Sequence, residues 1–380
     1  MIIDVHCHYT LTRHVADLPQ RFSFEPPPRG RPSAPDGRLR PGDFDSCVSP
    51  RALGRLSWQL VRRALRLPDP PADPSENNTC GTEKAVLLDR ALMRHYEQHL
   101  WAKGLVERFV LLAFDAVYDD DGTCPPLPDR TDRFGSDIYT SNSFVRALCQ
   151  RHPDRFLFGA SVHPYRPNAL ECVEEVFAAG ACLLKWIPLH HNINLTDPRA
   201  VAVLRKCAAL GLPLLVHCGP EFSLATQRPQ YESIRPLLEV LRRLRREAAM
   251  PCVIVAHAAT PLWLLGNADS HHALLEALRG EFADAPLYAD LAALTAWTKV
   301  PFLCRLRRRP ELHARLLFGS DFPVPTDARL LRRELGRSYR QIAAIRSWPQ
   351  RAAAACRQLG FNEIVFHRAA QLLPHVARRG

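Results

Sequence analysis

Although it holds 12 cysteines, the 380-residue chain has no Cys-x-x-Cys pair. Neither a disulfide framework nor a thiolate zinc site is therefore expected. Cys149, Cys182, Cys207 and Cys252 sit in apolar runs and read as buried free thiols. No stretch of roughly 18 apolar residues occurs, so no membrane span is expected. The first residues show no basic segment followed by an apolar one. A strand begins at Ile2 instead, so no cleaved leader and a cytoplasmic location are expected. No Gly-x-Gly-x-x-Gly follows that strand, which argues against a dinucleotide fold. The formal net charge is +11, yet no basic motif interleaved with aromatics is present. The arginines lie along helical stretches such as 241–247 and 330–337, as on solvated helix faces. No nucleic-acid partner is expected. A small-molecule substrate is, with a homo-oligomer left open.

What is present is a regular alternation. Hydrophobic residues make up 47% of the chain, enough for a large core. Strands are expected at 2–5 and within 106–116, 155–164, 182–188, 212–219, 251–259, 286–294 and 314–324. Helices are expected at 143–153, 168–181, 197–211, 233–247 and 270–282, with a helical C-terminus. Strands alternating with helices of this length imply a parallel sheet. Eight of them imply an α/β fold, a closed (β/α)8 TIM barrel forming a single domain over residues 1–380. Residues 11–82, rich in Pro and Arg, break the pattern with one helical piece at 51–67. An insertion after strand one lies over the C-terminal mouth of a barrel, so it reads as a lid-like insertion.

The chain opens MIIDVHCHYT. Residues i and i+2 of a strand share a face, so His6 and His8 project together. Alone, the pair is better explained as a coincidence on a solvated edge strand. Further apolar strands also end on polar residues: Lys185 on the fourth, His217 on the fifth, His257 on the sixth and Asp321 on the eighth. Each falls where barrel enzymes keep their chemistry, and imidazoles with one carboxylate suit Zn²⁺ and related ions.

With DVHCH at strand one, Lys185, His217, His257 and SDFP in this order, the sequence resembles the amidohydrolase superfamily of metal-dependent barrels. GASVHPYRP, AGACLLKWIP and FGSDFPV are similar to its amidohydrolase-related branch (amidohydrolase family 2), which holds hydrolases and non-oxidative decarboxylases. The resemblance implies that His6, His8, His217 and Asp321 hold one divalent metal, zinc. His257 would bind a second metal or polarise the substrate. Lys185 would bridge two metals if carboxylated, and otherwise turn toward a substrate carboxylate. Asp321 would accept the proton of an activated water and pass it to the leaving group. Hydrolysis of an amide, ester or lactone is the implied reaction, with decarboxylation of a small carboxylic acid at the same site as the alternative.

Other residues carry two readings each. His163, His190 and His191 face the same rim and either touch substrate or brace loops. Arg166 either clamps a carboxylate or lies on the surface. Asp290 either supports a histidine or caps a helix. Trp186, Trp263 and Trp297 either wall the pocket or pack the core. His271 and His272 are adjacent on a helix and are expected on the surface. Cys7 and Cys218 neighbour the candidate ligands but should point to the other side of their strands.

Overall fold

The structure, a computed structural model, describes residues 1–28, 36–68, 83–129 and 131–376. Its frame is an eight-stranded sheet. The strands are β1 Ile3–His8, β2 Arg108–Leu112, β3 Phe156–Ala160 and β4 Leu183–Trp186. They continue as β5 Leu214–His217, β6 Val253–Ala256, β7 Leu287–Asp290 and β8 Leu316–Leu317. Each pairs in parallel with the next. The ring closes between β8 and β1, where Val5 N donates to Phe318 O at 3.2 Å and His8 N to Phe322 O at 2.8 Å. This is the expected TIM barrel, and β2 to β8 each lie within the segment read for them.

The strands are short and apolar because both faces are covered. Ile3, Val5, Val110, Leu112, Leu183, Leu215, Ile254 and Leu317 fill the interior. The alternate residues, such as Phe109, Leu111, Leu184, Leu214 and Val253, pack outward under the helices. Observed helices include Asn142–Arg151, Ala169–Ala178, Pro198–Leu210, Arg235–Arg246 and Asp269–Arg279. The helix Glu83–Leu100, absent from the sequence reading, follows β1 and its insertion.

β1 contains one extra residue. Asp4 pairs with Phe109 and Cys7 with Leu111, so three steps on β1 match two on β2. Such a bulge inverts the alternation beyond it. Ile3 and Val5 face inward before it, and His6 and His8 face inward after it. Cys7 turns outward into the helix-facing core, as expected for it and for Cys218. The buried Asp4 carboxylate holds the bulge, accepting from His6 N at 3.1 Å and Ser320 N at 2.9 Å.

The insertion is more ordered than its composition implied. Arg13–His14 pairs antiparallel with Ser46–Val48, which pairs antiparallel with Ile138–Thr140. The helical piece read at 51–67 is two helices, Pro50–Leu53 and Leu56–Leu65, separated at Gly54 and Arg55. Part of the 11–82 segment, 29–35 and 69–82, lies outside the described residues.

Candidate active site

All eight strands point the same way, so their C-terminal ends form one mouth. His6, His8, Lys185, His217, His257 and Asp321 line a cavity of about 150 Å³ there. Val48, Ala52, Ser57, Trp58 and Val61 of the insertion form part of its wall. A neighbouring chamber of about 400 Å³ shares His217, Glu221, His257 and Asp321 with it.

Asp321 is the focus. Its Oδ1 lies 3.1 Å from His8 Nε2 and 3.3 Å from His6 Nε2, and its Oδ2 lies 3.8 Å from His257 Nε2. Asp321 adopts φ +61°, and His257, Ala258 and Ala259 adopt φ values of 55°, 48° and 51°. Left-handed backbone costs non-glycine residues energy and clusters at functional sites. Here it turns two ligand-type side chains into the mouth. His257 follows the inward Ala256 and would otherwise point outward.

The imidazoles are oriented from behind. His6 Nδ1 donates to Asp290 Oδ2 at 2.8 Å, which leaves the Nε2 lone pair facing Asp321. His257 Nδ1 donates to Ala292 O at 2.9 Å, so its Nε2 also presents a lone pair. Asp290 Oδ1 accepts from His257 N at 2.6 Å. Asp290 thus supports both histidines, the first of its two readings. Burial pushes its carboxyl up to about 7.

Burial, reinforced by Lys185 and the neighbouring imidazoles, holds His6 well below its ordinary pKa. Burial and Lys299 do the same for His257. Burial also lowers His8, against the pull of Asp321. Neutral imidazoles are what metal ligation requires. A neutral His257 with its proton on Nδ1 has no Nε2–H to give, so it suits ligation and not polarisation of a carbonyl.

Ligand atoms about 2.0–2.2 Å from a tetrahedral cation stand about 3.3–3.6 Å apart. The two distances from Asp321 Oδ1, 3.1 and 3.3 Å, match that spacing closely. His6, His8 and Asp321 offer ligand atoms all within 4.8 Å of one another, as do His6, His257 and Asp290. The residues fit a divalent ion.

Two expected members behave differently. His217 joins neither close group. Its Nε2 faces Gly219 O at 3.2 Å and its Nδ1 faces Glu221 Oε2 at 3.5 Å, although its ring packs edge-on to His257 at 5.2 Å. The carboxylate four residues on draws the ring aside. Burial takes His217 down to about 4. Lys185, fully buried, places Nζ 3.2 Å from His6 Nε2 instead of turning toward the open chamber. Burial pulls its pKa down, while Asp321, Asp290 and Glu221 pull it up.

The remaining candidates are mostly structural. His163 Nδ1 accepts from Tyr165 N at 3.0 Å, so its Nε2 donates to His191 O at 2.7 Å: a loop brace. His190 accepts from Asp137 N at 3.3 Å, and Nδ1 of His191 from Ile187 N at 3.3 Å. Trp186 is core, its Nε1 donating to Val162 O. Trp263 and Trp297 stand on the rim of the larger chamber. His271 is buried, not on the surface, because its Nδ1 reaches Ala258 O at 2.8 Å beneath the strained turn. Arg166 is neither on the surface nor in the cavity. It grips the buried Asp115 through two hydrogen bonds, at 2.7 and 2.5 Å. Arg166→Ala leaves that carboxylate buried without its counter-charge, held among the described residues only by the N–H groups of His163 and Ala116, and is expected to cost about 3–5 kcal/mol of stability in denaturant melts. Although burial opposes it, Arg166 holds Asp115 below the ordinary carboxylate range. The pair's contribution is therefore present above the unfolded-state pKa and lost as pH falls through the folded one.

Sequence reasoning missed two charged groups at the mouth. Glu221 lies just after β5, its Oε1 accepting from Ser223 N at 2.6 Å. Lys299 lies beyond β7 and lines the larger chamber.

A closed parallel barrel with imidazoles, a lysine and a carboxylate gathered at its C-terminal mouth defines an amidohydrolase-type barrel enzyme. The chain belongs to the amidohydrolase family: residues 3–345 match the family described as amidohydrolase. Comparison with curated proteins finds no match. Among solved structures, the chain is similar to an uncharacterized TIM-barrel protein from Bordetella bronchiseptica. Identity is 14%, coverage 97% of this chain and 99% of that one, and the TM-score 0.49. It is also similar to a probable 2-pyrone-4,6-dicarboxylic acid hydrolase from Acinetobacter baumannii, at 13% identity, 98% coverage of both chains and a TM-score of 0.46. A third is a 5-carboxyvanillate decarboxylase from Novosphingobium aromaticivorans with bound manganese. Here identity is 15%, coverage 82% and 92%, and the TM-score 0.39. Among the described residues, no helix is long and apolar enough to cross a membrane.

Asp290→Asn keeps the shape but weakens the hold on His6 and His257. It is expected to lower metal affinity about 10- to 100-fold, read by titration with a chelating competitor. Unchanged affinity would remove Asp290 from the support of these rings.

Proposed function

We propose that the protein is a metal-dependent hydrolase that opens an amide, ester or lactone carbonyl of a small organic substrate. His6, His8 and Asp321 would hold one divalent cation, zinc, and His217 would complete the set by releasing Gly219 O and carrying its proton on Nδ1, toward Glu221, instead of on Nε2. The observation that carries the reading is the approach of Asp321 Oδ1 to both His6 Nε2 and His8 Nε2 within the cavity at the barrel mouth. When bound, the cation supplies Lewis acidity and brings the pKa of a water toward about 7.

The residues of the chain do the rest. Asp321 takes the water's proton as the new C–O bond forms. It returns the proton to the leaving nitrogen or oxygen as the old bond breaks. Asp290 and the Ala292 carbonyl keep the His6 and His257 lone pairs facing Asp321. Lys185 places its amine beside the same point, with Nζ 3.2 Å from His6 Nε2. The insertion acts as a lid. Its Ser57, Trp58 and Val61 contribute to the wall that keeps bulk water out.

The test is a panel of lactones, esters, amides and aromatic carboxylic acids, with and without added Zn²⁺ or Mn²⁺. Metal-dependent addition of water is expected. CO₂ release without net water addition would replace hydrolysis by decarboxylation at the same site.

A further inference from the structure

The larger chamber has a cation that nothing in the proposed chemistry uses. Lys299 precedes the helix Val300–Arg307 and is only 7% exposed. Its ammonium forms no ion pair or hydrogen bond with any described residue. The charged and titratable groups around it are Glu221, Asp321, Asp290, His257 and His217, none of them within ion-pairing distance. Glu221 is committed elsewhere, to Ser223 N at 2.6 Å and His217 Nδ1 at 3.5 Å. The Nζ keeps contact with the solvent of the chamber and has no partner there among the described residues, so an anion seated beside it gains a charge-assisted contact.

The wall around Lys299 is mainly apolar, with Glu221, Asp321 and Asp327 as its acidic members. Leu60, Leu262, Trp263 and Trp297 line the same chamber. The two indoles meet edge to face at 5.4 Å, and both are partly exposed at the rim, at 47% and 59%. The chamber therefore presents one cation and two aromatic faces next to Asp321 and His257. A fully polar ligand would waste the indoles, and a neutral apolar one would leave Lys299 unpaired.

We infer that Lys299 is the specificity-determining anchor for a carboxylate on the substrate, with the substrate's apolar body lying against Trp263 and Trp297. This rests on the hydrolase reading for its orientation toward Asp321, but the anchor itself is an equilibrium binding property and is testable apart from turnover. The class of substrate is an amphipathic organic acid whose scissile carbonyl lies between the carboxylate and the cavity of His6, His8 and Asp321.

The experiment is calorimetric titration of the full chain with 4-phenylbutanoate and with the uncharged 4-phenylbutanamide. It is run on the protein as purified and again after chelation. A charge-assisted contact predicts that the acid binds at least about tenfold more tightly than the amide in both preparations. Lys299→Met should erase that preference and Lys299→Arg should retain it, while Lys185→Met leaves it in place. Equal affinities in the wild-type protein would overturn the inference, and that comparison needs no variant. So would a preference surviving in folded Lys299→Met, one abolished by Lys185→Met, or one confined to the metal-containing sample. A Lys299-dependent preference in protein that adds water to none of the lactones, esters or amides, even with added Zn²⁺ or Mn²⁺, would sustain the anchor while removing the hydrolase reading.

Discussion

Asp321→Asn is expected to lower turnover of any hydrolysed substrate about 100- to 10,000-fold, with the melting temperature essentially unchanged. The two halves of this expectation have separate causes. Asp321 serves the fold through its backbone, its N donating to His6 O at 2.8 Å and its O accepting from Val324 N at 2.8 Å. Asparagine keeps both bonds. It also tolerates the left-handed φ of +61° about as well as aspartate does. What it lacks is a basic oxygen able to take up a proton. Steady-state kinetics beside a circular-dichroism melt check both halves. Near-normal turnover would remove Asp321 from the proton path.

His6→Ala is expected to lose the cation. Among the described residues, His6 is the one residue that belongs to both close ligand groups. Its removal should cost more affinity than the about 10- to 100-fold foreseen when a supporting carboxylate is altered. The fold should survive at reduced stability. His6 stacks on His257 at 5.0 Å and meets His8 edge-on at 5.2 Å, so a void forms in a polar layer and not in the apolar core. Asp290 loses one donor, and its carboxyl, already pushed up to about 7 by burial, can take a proton in compensation. Elemental analysis of variant and wild type, purified alike from metal-supplemented growth, reads the result. Stoichiometric metal in the variant would contradict a ligand role for His6.

Much of this architecture was legible because parallel strands buried on both faces are apolar, and because a polar residue ending one is conspicuous. Lys185, His217, His257 and Asp321 stood out in that way. The pairing of His6 with His8 followed from the two-residue period of a strand. Which face they share did not follow. Alternation from Ile3 and Val5 places both rings outside the barrel, and only the extra residue between Asp4 and Cys7 brings them in. His257 is a similar case, since three consecutive left-handed residues, invisible as an alanine-rich turn, redirect it. The lean of His217 depends on Glu221. A glutamate four residues beyond a strand-end histidine was a signal that could have been read. Lys299 gave none, because loop residues have no period to violate. His271 was misplaced because adjacent histidines on a helix read as polar surface, whereas a carbonyl exposed by the strained turn at Ala258 draws one of them inward. The short strands at Arg13–His14 and Ser46–Val48 were hidden in a segment whose prolines and arginines suggest irregular chain.

The most direct measurement is anomalous diffraction from crystals of the protein grown after Zn²⁺ supplementation. The account predicts one strong peak within coordination distance of His6 Nε2, His8 Nε2 and Asp321 Oδ1. Zinc absent from the barrel mouth, or bound only at residues away from these three, would contradict it.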